Sequence, residues 1–214
     1  MSREGYPTIL GLLGFALLVG WVGIAFERFL LVPISVLAVM AALFSIYFFR
    51  DPQRHPPPGD DNIVSPADGV IMDIDRVLEE EFFGRDVQRI AIFLSLFDMH
   101  VNYVPFAGTV EYLRYHRGTF KPAFLKEAGQ ENANILTGLE TRSGKMAVKQ
   151  SAGIIARRLV NYLRLDDKVE KGQKLGMIKF GSRVDFFLPD TVTILVKKGD
   201  HLKSGETIVA TVNE

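Results

Sequence analysis

The sequence predicts a mainly β (α+β) soluble domain preceded by an N-terminal pair of apolar helices, and three observations predict it. Two long uncharged runs open the chain, separated by only Glu27 and Arg28. A Pro-rich segment from Asp51 to Asp61 then marks an abrupt change in composition. Beyond it come short β-branched runs bounded by Gly, Pro and Asp, the pattern of strands joined by turns.

Ile9 to Phe26 is 18 residues without a charge, and Phe29 to Phe49 is 21. As helices they span roughly 27 and 31 Å, each enough to cross a hydrocarbon core. The 11 Leu, Ile, Val and Phe residues of the first run contribute on the order of 3–6 kcal/mol to insertion. A cleaved signal peptide is the rival reading. Against it, no small-residue cleavage site is followed by a polar start, and a second full-length run follows at once. Residues 1–50 are therefore read as a membrane helical hairpin, spanning twice or dipping into one leaflet. Arg3 before it and Arg50 and Arg54 after it place both ends, and the domain that follows, on the cytoplasmic side of the cell membrane.

Residues 51–61 are read as a linker and 62–214 as the β-rich domain. Residues 51–214 hold 22 Lys+Arg and 23 Asp+Glu, so this part is nearly neutral. Strands are expected over Ile63–Asp75, Arg89–Phe97, Thr109–His116, Lys145–Gln150 and Thr191–Val196. Residues 121–132 and 152–163 are ambiguous; in the second, Ile155, Leu159 and Leu163 recur every four residues, which suits a short helix or a strand. Val169–Gly176 is echoed by Val196–Gly205, each a strand end, a Lys-Gly turn and a return to an apolar strand. Such hairpins recur in lipoyl-like β sandwiches, with glycines where positive φ is needed.

Composition removes several function classes. Twenty-five Lys+Arg balance 25 Asp+Glu, so the basic excess of a nucleic-acid binder is missing. Cys is absent, which excludes disulfides, thiolate metal sites and a cysteine nucleophile. Only four His are present, at 55, 100, 116 and 201, so no metal site is expected. A non-enzymatic alternative is a membrane-anchored lipoyl-like adaptor, but no sustained heptad accompanies it. A lipoyl or biotin carrier is disfavoured because Lys171 and Lys198 are each followed by Gly.

Three segments carry candidate chemistry. Ser65-Pro66-Ala67-Asp68-Gly69 places a carboxylate at a turn. In Phe97-Asp98-Met99-His100, an extended chain would point Asp98 and His100 to one face. Phe180-Gly181-Ser182-Arg183 puts a hydroxyl after a glycine, which reads equally as an ordinary turn. The order Asp68, His100, Ser182 permits, without proving, an arrangement that activates the hydroxyl as a nucleophile.

With the N-terminal apolar segment and Arg50-Asp51-Pro52, these motifs make the chain resemble the phosphatidylserine decarboxylase family, specifically its short prokaryotic branch. The resemblance covers nearly the whole chain. It implies a proenzyme that cleaves itself between Gly181 and Ser182 into a β chain of 1–181 and an α chain of 182–214, which remain together as a heterodimer, with a higher oligomer also open. It implies that Ser182 becomes a covalent pyruvoyl group, with no metal, forming a Schiff base with phosphatidylserine and releasing phosphatidylethanolamine and CO2. His100 is then the base, with Asp68 orienting it. Longer members carry a second His where this chain has Tyr103, and often Leu-Gly-Ser-Thr at the cleavage site. His116 is the reserve to His100, Asp98 is a further candidate at the substrate, and Arg157, Arg158 and Arg183 are candidates for the lipid phosphate. A related serine-headgroup lipid such as archaetidylserine is the alternative substrate.

Overall fold

The computed structural model describes residues 1–125, 127–153, 158–179 and 182–213. It divides into two units, Met1–Pro52 and Gln53–Glu214.

The first unit is a helical hairpin. Helix α1 (Tyr6–Ala25) begins with Pro7 in its first turn, where a missing N–H costs nothing. It ends where Glu27 takes a positive φ of 53°, and α2 (Leu31–Phe48) returns. The helices meet through small side chains. Ala16, Gly23, Ala38 and Ala42 are buried, and the Ser35 hydroxyl donates to the Ala16 carbonyl at 2.8 Å. Close approach of backbones through small residues is how helices associate when lipid removes the hydrophobic drive. Leu17, Leu18, Trp21, Leu37, Met40 and Leu43 point outward. With mean hydropathies of 2.2 and 2.3, both helices are long and apolar enough to cross a membrane.

The second unit is mainly β. Its strands are β1 (Asn62–Val64), β2 (Gly69–Glu79), β3 (Arg85–Leu94), β4 (Val101–Tyr103), β5 (Gly108–His116), β6 (Asn134–Thr141) and β7 (Gly144–Ser151). They continue as β8 (Arg158–Asn161), β9 (Lys168–Val169), β10 (Lys174–Lys179), β11 (Ser182–Leu188), β12 (Val192–Ile194), β13 (His201–Leu202) and β14 (Ile208–Val212). One short helix, α3 (Ala128–Glu131), falls inside the ambiguous segment 121–132. The other ambiguous segment supplies strand β8, while Ile155 lies outside the described residues. Eight strands form one antiparallel sheet in the order β13-β2-β3-β11-β7-β6-β5-β9, flanked by the three-stranded sheets β1-β14-β12 and β4-β10-β8.

Alternation along the strands sorts side chains to two faces. Val184, Phe186 and Leu188 of β11 join Ile90, Ile92 and Val148 in the main core. Phe187 faces the other way, into a smaller cluster with Phe82, Val87 and Leu136. Fully burying a side chain such as Phe186 contributes roughly 1.5–3 kcal/mol.

The expected strand Ile63–Asp75 is two strands. Residues 65–68 break it, and Gly69 restarts the chain at φ 137°. A Cβ on Gly69 would run into the Phe93 carbonyl of the neighbouring strand. The expected strand Arg89–Phe97 likewise ends at Leu94, because Asp98 folds the next residues into a turn. In the echoed hairpins, Gly172, Gly199 and Gly205 all have positive φ. The Pro-rich segment is divided between the units. From Arg54 onward it packs on the β unit, where Arg54 meets Asp68 at 3.0 Å and Lys171 donates to the Gly59 carbonyl at 2.6 Å.

Gly69→Ala is expected to destabilise the β unit by more than about 3 kcal/mol, since it adds both strain and a clash. Gly84→Ala, at φ 65° with open space around it, should cost only about 1 kcal/mol. Thermal or denaturant melts of the two variants check the difference.

Candidate functional site

Ser182 opens β11, the strand paired on one edge with β3 and on the other with β7. It lies opposite Leu94 and is fully buried, yet its hydroxyl has no hydrogen-bond partner among the described residues. A buried polar atom left unpaired costs about 1–3 kcal/mol, so this one needs an explanation. Just upstream, β10 ends at Lys179 in a different sheet. The chain therefore crosses between sheets immediately before Ser182. Gly181, the expected cleavage partner, lies outside the described residues.

His100 is bonded to β10 shortly before that strand ends. After Leu94 the chain turns through 95–98, and the Asp98 carboxylate accepts from the Ser95 N–H and hydroxyl, both at 2.7 Å. His100 then offers its carbonyl to the Ile178 N–H at 3.1 Å. So His100 pairs with β10 four residues before Ser182, while Leu94 pairs with Ser182 itself. The imidazole is fully buried, with Nδ1 at 2.9 Å from the Asp98 carbonyl. A carbonyl can only accept, so that contact puts a proton on Nδ1.

The expectation that Asp98 and His100 share a face through strand alternation is corrected here, because residues 95–98 form a turn. The Asp98 carboxylate closes that turn, and its backbone carbonyl, not its side chain, faces the ring. Asp68, expected to orient the ring, accepts instead from Arg54 at 3.0 Å and from the Ser204 N–H and hydroxyl at 2.7 and 2.9 Å. Arg54 also pairs with Glu206 at 2.7 Å. The group ties the segment at 54 and the loop at 68 to the C-terminal hairpin.

A layer of buried amides lies on the same sheet face as Ser182. Gln150 stands opposite Val184, one alternate position from Ser182, and is fully buried. Its Nε2 donates to Asn102 Oδ1 at 2.8 Å, and Asn102 Nδ2 donates to the Pro66 carbonyl at 3.2 Å. This chain of bonds runs from the Pro66-Ala67-Asp68 loop, through the strand after His100, to the strand beside Ser182. Sequence reading missed both amides. The available signal was polarity at an inward position, since Met146 and Val148 of the same strand face are core residues.

Arg183 points to the opposite face. It is 4% exposed and grips Asp185 through Nε at 2.9 Å and Nη2 at 2.7 Å. Its Nη1 reaches the Leu125 carbonyl at 3.4 Å, and Gly129 lies against the guanidinium. Arg183 thus holds the segment around 125–129 over β11. Beside it, Lys149 and Arg89 line a cavity of about 310 Å³ with Asp185 and Glu81. Burial lowers the Lys149 amine below the usual lysine value, against the pull of Asp185, Glu81 and Glu79.

The remaining candidates are dispersed. His116 ends β5, separated from β11 by β7 and β6, with Nε2 at 2.9 Å from Glu81. Arg157 lies outside the described residues. Arg158 is exposed and stands directly across the ladder from Lys179, at the end of β10 nearest Ser182. Among the described residues no three His, Asp or Glu come together as a metal-ligating group.

The model of a family described as phosphatidylserine decarboxylase matches residues 41–210. The phosphatidylserine decarboxylase proenzyme of Chlorobium limicola is 40% identical over 210 residues, covering 98% of this chain and 99% of that protein. That of Pelobacter propionicus is 42% identical, covering 98% of this chain and 95% of its own. That of Desulfotalea psychrophila is 39% identical, covering 99% and 96%.

Two stability outcomes follow from the outer face. Asp185→Leu strands the Arg183 guanidinium without its anion and should cost about 3–5 kcal/mol in a denaturant melt. The unfolded chain keeps the Lys149 proton up to the usual value of 10.5, whereas the folded chain gives it up earlier. This group therefore makes stability rise with pH over the alkaline range below 10.5. Lys149→Met should flatten that rise in melting temperature.

Proposed function

Because the chain belongs to the phosphatidylserine decarboxylase family, and is thus a carboxy-lyase of phospholipid metabolism, we propose that it cuts itself at Gly181–Ser182 and decarboxylates phosphatidylserine to phosphatidylethanolamine. The observation that carries this reading is Ser182 itself. Its hydroxyl is buried and has no partner among the described residues, and the His100 backbone is bonded to Ile178, four residues upstream.

In the precursor, the Ser182 hydroxyl attacks the Gly181 carbonyl carbon and gives its proton to His100 Nε2. The peptide bond becomes an ester, and the Ser182 nitrogen becomes a free amine. Removal of the Ser182 α-proton then expels the Gly181 carboxylate and leaves dehydroalanine. Water displaces its nitrogen as ammonia, leaving a carbonyl at residue 182. The residues present suit such a group: a strand start paired with β3, a hydroxyl without a partner among the described residues, and buried amides alongside. When formed, this pyruvoyl group supplies the electron sink that ordinary side chains lack as CO2 departs from an amino acid.

The rest falls to the chain's own residues. His100 moves protons from a fixed tautomer, and the burial of Ser182 excludes bulk water. Arg158 and Lys179 stand as two cations across the ladder, a pair whose charge complements an anion. The phosphate of the lipid headgroup is that anion. Asp68 acts as an anchor through Arg54 and Ser204, joining segments on either side of the cut. The two chains stay together because β11 is clasped by β3 and β7, β14 by β1, and β13 by β2. Helices α1 and α2 hold the enzyme in the cell membrane where its substrate lies, and the positive residues flanking them put the β unit on the cytoplasmic side.

Intact mass analysis of the expressed protein should show two chains, 1–181 and 182–214, the second blocked to N-terminal sequencing. Ser182→Ala should remain whole and inactive, and His100→Ala should slow cleavage by about 100-fold or more. Active protein that stays a single chain of 23.9 kDa would refute the mechanism. Parallel assays with ester-linked and ether-linked serine lipids separate phosphatidylserine from archaetidylserine as the substrate.

A further inference from the structure

We propose that Gln150, held in place by Asn102, receives the amino group of the serine headgroup beside residue 182. This rests on the reading of residue 182 as the reactive carbonyl.

The geometry behind it is independent of that reading. Gln150 lies opposite Val184 on β11 and Ile135 on β6, so its side chain enters the core face that Ser182 shares. Its amide nitrogen is committed to Asn102 at 2.8 Å, and Asn102 is in turn fixed to the Pro66 carbonyl. The amide therefore cannot turn freely, and its oxygen is left buried without a donor among the described residues. The strand across the core leaves room for it: a Cβ on Gly176 would stand 3.0 Å from Gln150 Nε2. Two oxygens, Gln150 Oε1 and Ser182 Oγ, thus stay unsatisfied on one face of adjacent strands.

What such a place lacks is a donor. A primary ammonium is a group of N–H donors with no acceptor, and it complements an orphan oxygen. The choice of an amide over a carboxylate also has a chemical reason. To form a bond to carbon, the amine must shed a proton. A buried carboxylate would stabilise the ammonium and hold that proton, whereas a neutral amide oxygen binds the nitrogen in either state. Val148 and Val184 around it keep out the water that would compete for the amine.

The test uses the full-length protein in mixed micelles with phosphatidylserine. Gln150→Met keeps the length of the side chain and removes the acceptor, and Gln150→Glu keeps an acceptor but adds charge. Three readouts are taken for each: the masses of the two chains, KM and kcat, and cyanoborohydride trapping of phosphatidylethanolamine onto the smaller chain. Gln150→Met should cleave like the wild type, raise KM by at least about tenfold and reduce trapping by a similar factor. Gln150→Glu should trap lipid, with its optimum moved to higher pH. A cleaved Gln150→Met protein that matches the wild type in KM and trapping overturns the proposal. Failure of both variants to cleave overturns it too, since Gln150 would then serve processing. If the wild type neither cleaves nor traps lipid, it is the reading of residue 182 that fails.

Discussion

The pairing of the strand Ser182–Leu188 along both edges is the constraint on which the rest of the site depends. Seven residues of it pair with β3 and five with β7. A strand held this way does not need an intact covalent link at its N-terminal end. Its backbone groups are satisfied by neighbours, and its side chains are divided between two apolar clusters. The position where the chain passes from one sheet to another is also where a break disturbs the ladders least. Residue 182 is thus both deeply buried and the first residue of its ladder.

Electrostatics on the outer face reinforce the same strand. Arg183 and Asp185 are neighbours on one face two residues apart, and they bind each other in a nearly dry environment. Such a pair adds little net stability over an apolar one, because desolvation offsets most of the attraction. Its effect is positional. The guanidinium also reaches the Leu125 carbonyl and lies under Gly129, so the segment crossing the sheet is located relative to the residue that follows Ser182. The inner face is organised by hydrogen bonds between amides instead. Asn102 and Gln150 carry a fixed orientation from the Asp68 loop to the neighbourhood of Ser182 without a buried charge.

The ordering of the imidazole shows how local chain geometry substitutes for a distant carboxylate. Asp98 closes a turn with Ser95, and that turn brings its own carbonyl to His100 Nδ1. Asp68 is left to bind Arg54 and Ser204, across segments more than a hundred residues apart in sequence. Processing into two chains would leave the Asp68–Ser204 and Arg54–Glu206 contacts between them, together with four strand pairings.

Much was legible from the sequence because it depended on short-range rules. Uncharged length alone marked the two helices, and the change at Asp51 marked where they end. Periodicity and turn residues marked most strands, and the motifs around Asp68, His100 and Ser182 marked the residue types that could carry chemistry. Their partners were not legible. Alternation misplaced Asp98, because a side-chain-to-backbone bond turned the chain before the strand pattern could apply. Arg183 was a candidate for the lipid phosphate, and only its pairing with Asp185 and the packing of Leu125 and Gly129 against it make it a buried structural cation. Gln150 and Asn102 belong to no local pattern at all. The sequence by itself determined which segments are apolar, which are strands and which residues carry reactive groups, since each of these is set by neighbours within a few positions. Which carbonyl meets His100 Nδ1, which carboxylate meets which guanidinium and which amides bond each other were decided only by the tertiary structure, because those contacts depend on turns, strand register and sheet crossover.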